Sequence, residues 1–389
     1  LESAPWEYIS YQEMIQKLQK TIILENLKIL MQTISKLFEL STRVKSIFQL
    51  TSPSGHEKTI AKTLKEYVVD YVDSITEDAI GNLICTKYVK DSQTNTTIMY
   101  VAHMDEIGLM VTYIEESGYI RFTRIGGVDL MLLKGRNVKI VHGDIEVFGV
   151  IGTTPIHMRR NGNNKDLEES DLWIDVGITG KEEVEKLISI GDCIVIDAPL
   201  VELPNQLISS RACDNKAGVA SLLRMLDLIK DDVIENNVVV VFSVQEEVGL
   251  RGAKTATYSV SPDVCIAVDV AHATDYPSVN KSKYGDVRIG KGPVIPVGSD
   301  LTPCIQKELK SLSQNLGLDY QLLALSGCSG TDVNVAQVTK AGCTTGLISI
   351  PCRYMHSPVE IVSLSDIENV AQVLAEFCRH KLNQYNGLD

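Results

Sequence analysis

Two adjacent carboxylates, Glu246 and Glu247, directly follow an apolar run of the sequence. The run at 238–244 reads VVVVFSV, and β-branched residues at this density predict a strand buried on both faces, as in parallel sheets. Open α/β sheets bind ligands at the carboxyl ends of their strands. Neighbouring carboxylates raise each other's pKa unless a cation or solvent intervenes. The pair therefore indicates a strand end at which a cation would relieve the repulsion.

Other side chains of the metal-ligand type also occur where predicted strands end or a predicted helix begins: His103, Asp214, Asp269 and His356. Because the carboxyl ends of parallel strands meet at one edge of a sheet, we expect these residues to converge on the Glu246–Glu247 pair. Imidazole and carboxylate ligands suit zinc, cobalt or manganese. The number of carboxylates favours two ions bridged by one of them, an arrangement that holds a hydroxide between the ions and polarises the bond to be broken.

Each of these residues also has a structural explanation when it is taken alone. His103 would be a buried core histidine, Asp214 a helix cap and Asp269 a turn residue. The two glutamates would form a solvated face. Their joint placement at the ends of predicted elements favours the metal site.

The order of predicted strands and helices indicates an α/β fold, with a mostly parallel sheet flanked by helices. Short alternating segments between glycines over 108–204 predict a small all-β barrel or sandwich inserted into it. We therefore expect the sheet to be built from 41–107 and 205–389. Apolar residues at three- and four-residue spacing predict a helical extension over 1–40, which would pack on the body or form an oligomer contact. The polar stretch 161–171 is expected to be a mobile loop.

Composition excludes several classes of protein. The chain has 389 residues, of which 44% are hydrophobic and 22% charged, so it can bury a core and is not of the disordered type. Its net charge of −13 argues against nucleic acid as a partner. Nine cysteines without a C-x-x-C pair fit a reducing cytosol better than a disulfide framework. No apolar stretch has the length of a membrane-spanning helix and no signal peptide is evident, so we expect a cytoplasmic protein without membrane contact.

Five motif-bearing stretches occur in the order 102–108 (AHMDEIG), 211–218 (RACDNKAG), 245–253 (QEEVGLRGA), 267–269 (AVD) and 353–358 (RYMHSP). These stretches resemble the tetrahedral (TET) aminopeptidases, a family of dinuclear metallopeptidases also called glutamyl aminopeptidase or endoglucanase-like. The resemblance runs from about residue 45 to the end of the chain. Its most specific parts are the His-x-Asp-Glu-Ile-Gly and Glu-Glu-x-Gly motifs, followed by the later Asp and His. It implies a zinc-exopeptidase-like fold with an inserted β domain.

Carried over residue by residue, the resemblance implies two divalent ions, zinc first, with cobalt or manganese as alternatives. It implies one bridging ligand, Asp214, and two further ligands for each ion: His103 and Asp269 on one, Glu247 and His356 on the other. Glu246 would be the general base, and Asp105 would support the imidazole of His103. Asp105 follows His103 by two residues, so it would point the same way if the strand continued.

The implied reaction is hydrolysis of the N-terminal residue of a peptide with a free N-terminus. The resemblance also implies a homo-oligomer, in which the inserted β domain mediates dimerisation and dimers assemble into hollow tetrahedral dodecamers. The stretch before about Leu40 is longer than the usual start of the family. The acceptor of the substrate α-amine stays open between Glu246, Asp332 and a metal, and Asp332 could equally be a turn residue. The side-chain preference also stays open.

Two other functions compete with this hypothesis. A glycoside hydrolase would need two opposed carboxylates and usually no metal, and the two histidines among the ligand positions argue against it. A non-catalytic peptide-binding scaffold would be expected to lack the base or a ligand, whereas all six positions are present.

Overall fold

A computed structural model describes residues 42–89, 96–158 and 167–380. The chain divides into two compact units, the second of which begins at Ile47. The helical extension predicted over 1–40 lies outside the described residues, as does most of the polar stretch 161–171.

Seventeen strands lie in the described residues. In chain order they are β1 Ser74–Glu77, β2 Leu83–Lys87, β3 Thr97–His103, β4 Gly108–Ile114, β5 Ile120–Ile125, β6 Asn137–His142, β7 Ile145–Thr153, β8 Leu172–Asp175, β9 Cys193–Ile196, β10 Val201–Leu203, β11 Leu207–Ser210, β12 Asn237–Ser243, β13 Val264–His272, β14 Val294–Gly298, β15 Gln321–Leu325, β16 Thr344–Cys352 and β17 Glu360–Ser363. The helices after Ile47 are α1 Lys58–Val68, α2 Lys181–Val184, α3 Cys213–Leu228, α4 Arg251–Val260, α5 Lys281–Tyr284, α6 Pro303–Asn315, α7 Val333–Gln337 and α8 Leu364–Arg379.

The large sheet has eight strands in the order β1-β2-β12-β3-β13-β16-β14-β15. Its four central strands, β12, β3, β13 and β16, are parallel, and antiparallel pairs lie toward both flanks. Met99 of β3 packs in one apolar cluster with Ala253 of α4 and Ala336 of α7. The next residue, Tyr100, contacts Cys378 of α8. Since successive strand residues point to opposite faces, helices cover both faces of the sheet.

A closed barrel of six antiparallel strands, in the order β4-β5-β8-β7-β6-β9, lies in the chain between β3 and β10. Its interior is filled by fifteen buried apolar residues, among them Ile120, Val138 and Ile194. A third, three-stranded sheet is formed by β10, β11 and β17. These features confirm the predicted fold class, an α/β sheet flanked by helices together with a small all-β barrel.

One predicted strand end differs from the structure. β13 does not end before Asp269 but continues to His272, which pairs with Cys352 of β16. Asp269 is therefore a strand residue, and its explanation as a turn residue is wrong. β3 does end at His103, as expected, so the strand does not continue to Asp105 and alternation along the strand does not determine the direction of the Asp105 side chain.

The helices of the described residues are all too short or too polar to cross a lipid bilayer.

Candidate active site

All six residues expected to form the site line one cavity of about 700 Å³. They come from five parts of the fold: His103 ends β3, Asp214 lies in the first turn of α3, Glu246 and Glu247 follow β12, Asp269 lies within β13, and His356 follows β16. Four of these elements are the central parallel strands, whose carboxyl ends meet at one edge. The topology of the sheet therefore brings five of the side chains together, and the start of α3 adds Asp214.

Asp214 lies between the two histidines. Its Oδ1 is 3.1 Å from Nε2 of His103, and its Oδ2 is 3.4 Å from Nε2 of His356. A second carboxylate accompanies each imidazole: Asp269 Oδ1 is 3.8 Å from His103, and Glu247 Oε1 is 3.3 Å from His356. The site thus has two halves that share Asp214.

Ligand-type atoms also cluster tightly enough to surround an ion. One atom each from His103, Asp214 and Glu247 lie within 4.8 Å of one another, and the same holds for His103, Glu246 and Asp269. Glu246 is therefore close enough to be a ligand. It differs from Glu247 and Asp269 because it forms no ion pair with either histidine among the described residues.

The electrostatics of the site show a surplus of negative charge. Burial, together with the neighbouring Asp269, raises the pKa of Glu246 to about 10. Burial also raises the pKa of Asp269 well above its usual value. Burial opposes ionisation of Asp214 too, but hydrogen bonds from His103 and His356 bring its pKa below the usual value. Four carboxylates thus face only two imidazoles, and this donor set fits hard or borderline divalent cations.

The backbone around the site fixes how each imidazole is presented. Nδ1 of His103 lies 3.1 Å from the carbonyl oxygen of Asp105, and Nδ1 of His356 lies 3.2 Å from that of Gly127. A carbonyl oxygen can only accept a hydrogen bond, so Nδ1 of each imidazole carries a proton. Nε2 of each imidazole then points toward the carboxylates. A Cβ at Gly127 would come within 2.8 Å of the His356 ring, so this contact requires glycine.

Asp105 organises the glutamate pair rather than the histidine alone. Its fully buried carboxylate accepts the N–H groups of Glu246 at 3.0 Å and Glu247 at 3.2 Å, and the hydroxyl of Ser54 at 2.6 Å. The carboxylate is 3.5 Å from Nδ1 of His103, farther than its own main-chain oxygen. Sequence reasoning assigned Asp105 only to His103 and missed its bonds to the Glu246–Glu247 turn.

A buried ion network lies next to the site, formed by Glu106, Arg211 and Lys216. Lys216 Nζ is 2.9 Å from Glu106 Oε1, and Arg211 forms an ion pair with the other carboxylate oxygen. Burial opposes ionisation of Glu106, but the two cations lower its pKa to about 2. Sequence reasoning did not single out this network, although Arg211 and Lys216 flank Asp214 in the 211–218 motif.

Asp332, which the sequence left open as an acceptor of the substrate amine, has a clear position. Asp332 is buried and accepts a hydrogen bond from Ser243 Oγ at 2.6 Å, while its neighbours Gly330 and Thr331 line the cavity. This position does not favour Asp332 as the acceptor of a substrate amine. His272, the last residue of β13, also lines the cavity.

The chain is similar to known proteins over most of its length. Residues 81–373 match the family model of the M42 glutamyl aminopeptidases. A putative aminopeptidase of Acetivibrio thermocellus is 38% identical over 338 residues, which cover 86% of this chain and 96% of that protein. Among solved structures, an aminopeptidase of the archaeon Desulfurococcus kamchatkensis is 37% identical, with a TM-score of 0.81 and coverage of 88% and 94%. The Pyrococcus horikoshii TET1 peptidase, which can assemble into a tetrahedron or a large octahedral shell, is 31% identical, with a TM-score of 0.77 and coverage of 87% and 99%.

Proposed function

This chain belongs to the M42 glutamyl aminopeptidase family, and from that membership we propose that it is a dinuclear metal-dependent aminopeptidase. The observation that carries the proposal is the division of the site into two halves around Asp214, each with one imidazole and one further carboxylate. This arrangement offers a bridging carboxylate and two more ligands to each of two ions.

The ligands would be Asp214 for both ions, His103 and Asp269 for the first, and Glu247 and His356 for the second. When bound, the ions supply Lewis-acid activation of water and of the scissile carbonyl. We expect zinc, with cobalt and manganese as alternatives, since all three accept imidazole and carboxylate ligands.

Glu246 would act as the general base. It lines the cavity beside the proposed ligands but pairs with neither histidine among the described residues, so its carboxylate is free to move a proton. It would accept a proton from water as the hydroxyl adds to the carbonyl carbon, and return that proton to the leaving nitrogen as the C–N bond breaks. The two N–H bonds to Asp105 hold the turn that aims Glu246 and Glu247 in different directions.

The substrates would be peptides with a free N-terminus. A cavity of about 700 Å³ has the size of a pocket for a small molecule or a few residues of a peptide. Apolar side chains such as Leu322 and Leu323 form part of its wall beside the acidic cluster.

We further propose that the barrel domain, 108–204, mediates dimerisation and that dimers form a tetrahedral dodecamer. The barrel strand β7 exposes Ile145, Phe148 and Val150, which a partner barrel could cover. The assembly of the Pyrococcus horikoshii relative supports this proposal. We expect the protein to act in the cytoplasm, since all nine cysteines are free thiols. Light scattering should give the mass of twelve chains, and a monomer at micromolar concentration would contradict the assembly.

The function is tested with a panel of aminoacyl-p-nitroanilides, with metal content measured on the same sample. We expect hydrolysis of substrates with a free α-amine and none of their N-acetylated counterparts. Equal hydrolysis of blocked and free substrates would exclude an aminopeptidase. The panel also determines the preference for the N-terminal side chain.

A further inference from the structure

Glu360, the first residue of β17, is a buried carboxylate directly beneath the proposed ligands. It is 1% exposed. Its Oε2 accepts the N–H of Asp214 at 3.0 Å, and its Oε1 accepts the N–H of His356 at 2.7 Å. One carboxylate therefore joins the main chains of two proposed ligands that come from different elements.

Both of these N–H groups belong to backbone that helices and strands do not hold in place. Asp214 has extended dihedral angles (φ −80°, ψ 105°) inside the first turn of α3. His356 has a left-handed φ of 60°, a conformation that is strained for a residue with a side chain. Buried N–H groups need an acceptor, and Glu360 provides the acceptor for both.

The main chain of Glu360 is also held in place by its neighbours. It pairs with Ser210 in the register of β11 and β17, and its carbonyl oxygen lies 3.7 Å from the thiol of Cys213. In the described part of the chain no lysine, arginine or histidine side chain forms an ion pair with it, in contrast to Glu106. Its two carboxylate oxygens therefore interact with main-chain N–H groups rather than with a cation.

We propose that Glu360 is a positioning residue that couples Asp214 to His356, so that Asp214 keeps one oxygen toward each histidine. The inference rests on the proposed function, since it takes Asp214 and His356 as metal ligands. Glu360 acts through the main chain of these ligands and touches neither ion nor substrate. Its effect is therefore expected on metal affinity first.

Replacement by glutamine tests this role because it keeps the shape of the side chain but removes one acceptor. In Glu360→Gln, one of the two N–H groups faces an NH₂ donor instead of an oxygen. Loss of a group that orients metal ligands typically lowers metal affinity about 10–100-fold. We expect a loss in this range for zinc.

Asp366 provides a matched control. It is fully buried, and its two oxygens accept the N–H groups of Gly290 at 2.6 Å and Gly292 at 2.9 Å. Neither glycine lines the cavity. Asp366→Asn therefore removes the same kind of acceptor at a place that holds no proposed ligand.

The experiment is a zinc titration of the metal-free wild type, Glu360→Gln and Asp366→Asn in competition with a chromophoric chelator, together with thermal unfolding of the metal-free proteins. We expect both variants to lose thermal stability to a similar extent, and only Glu360→Gln to lose zinc affinity. Wild-type affinity in Glu360→Gln, or an equal loss in Asp366→Asn, would overturn the inference. A wild type that binds no zinc would overturn the proposed function as well. If Glu360→Gln does not fold, Glu360→Asp, which withdraws both oxygens by one methylene, replaces it in the same titration.

Discussion

Two buried sites with acidic side chains, the ion network and the candidate metal centre, lie near the end of β3. They differ in the cations that the protein provides to neutralise them. In the ion network, Glu106 meets both Arg211 and Lys216, and its pKa falls to about 2. In the candidate metal centre, four carboxylates meet only two imidazoles, and the pKa of Glu246 rises to about 10. The first group is neutralised from within the chain, whereas the second has the composition of a site neutralised by bound ions.

The two groups also connect to the fold in different ways. Lys216 donates to the carbonyl of Leu50, and Arg211 donates to that of Gln49 at 3.1 Å, so the network ties the 49–50 segment to the start of α3. The metal centre instead opens into the large cavity. We infer that the network stabilises the platform of Asp214, and that the chemistry takes place at the centre.

Removal of metal should have the largest effect on activity. It should affect the candidate metal centre and leave the ion network unchanged. Exhaustive chelation is expected to reduce hydrolysis of aminoacyl-p-nitroanilides to the background rate, and added zinc, cobalt or manganese to restore it. The ion network should persist, because its charges are paired within the chain. Hydrolysis that survives chelation would favour a metal-free glycosidase-like chemistry and contradict the proposal.

Glu246→Gln should retain metal and lose turnover. The amide cannot accept a proton from water, and loss of a general base typically lowers kcat about 10²–10⁴-fold. Steady-state kinetics on a sample of known metal content measures this effect. Turnover close to that of the wild type would show that Glu246 is not the base.

Lys216→Met should destabilise the protein while leaving the metal ligands in place. Removing one partner of a buried ion pair typically costs about 3–5 kcal/mol of unfolding free energy, because the remaining charge stays buried. Denaturant unfolding measures the cost, with Lys186→Met as the control. Lys186 forms an exposed ion pair at 2.6 Å with Glu183 of α2, so its loss should cost little. Equal costs for the two variants would mean that the buried network does not carry this stability.

Asp269→Asn should have the smallest effect, which is on the free energy of unfolding of the metal-free protein. In contrast to Lys216→Met, it should stabilise the protein. Removing one of four crowded carboxylates relieves repulsion, and we expect a gain of about 1 kcal/mol, the equivalent of roughly one pKa unit. Urea unfolding of the metal-free variant and wild type measures it. A loss of stability instead would show that the histidines already compensate the negative charge.

The sequence predicted the parts of this molecule that depend on local composition. The valine-rich run at 238–244 predicted β12 (Asn237–Ser243) to within one residue, since a strand buried on both faces needs unbroken apolar residues. The six expected site residues do line one cavity, because topology brings the ends of parallel strands to one edge.

Features that depend on distant partners were not predictable in the same way. Asp269 was expected at a strand end, yet β13 continues past it to His272, where the cavity opens. A cavity beside the strand allows a carboxylate inside it, and the local sequence does not show that cavity. Asp105 accepts the main-chain N–H groups of Glu246 and Glu247, and Glu360 accepts that of Asp214. These donors are far away in sequence, and residue spacing carries no sign of such bonds. The ion pairs of Glu106 depend in the same way on the packing of separate elements.

The stoichiometry of divalent ions bound to the wild-type chain tests the central claim most directly. Mass spectrometry of metals, together with titration of zinc into the metal-free protein, should give two ions per chain. A stoichiometry of two would agree with a site divided around Asp214. A stoichiometry of one, or no binding at all, would contradict the claim that the acidic cluster is neutralised by a pair of ions.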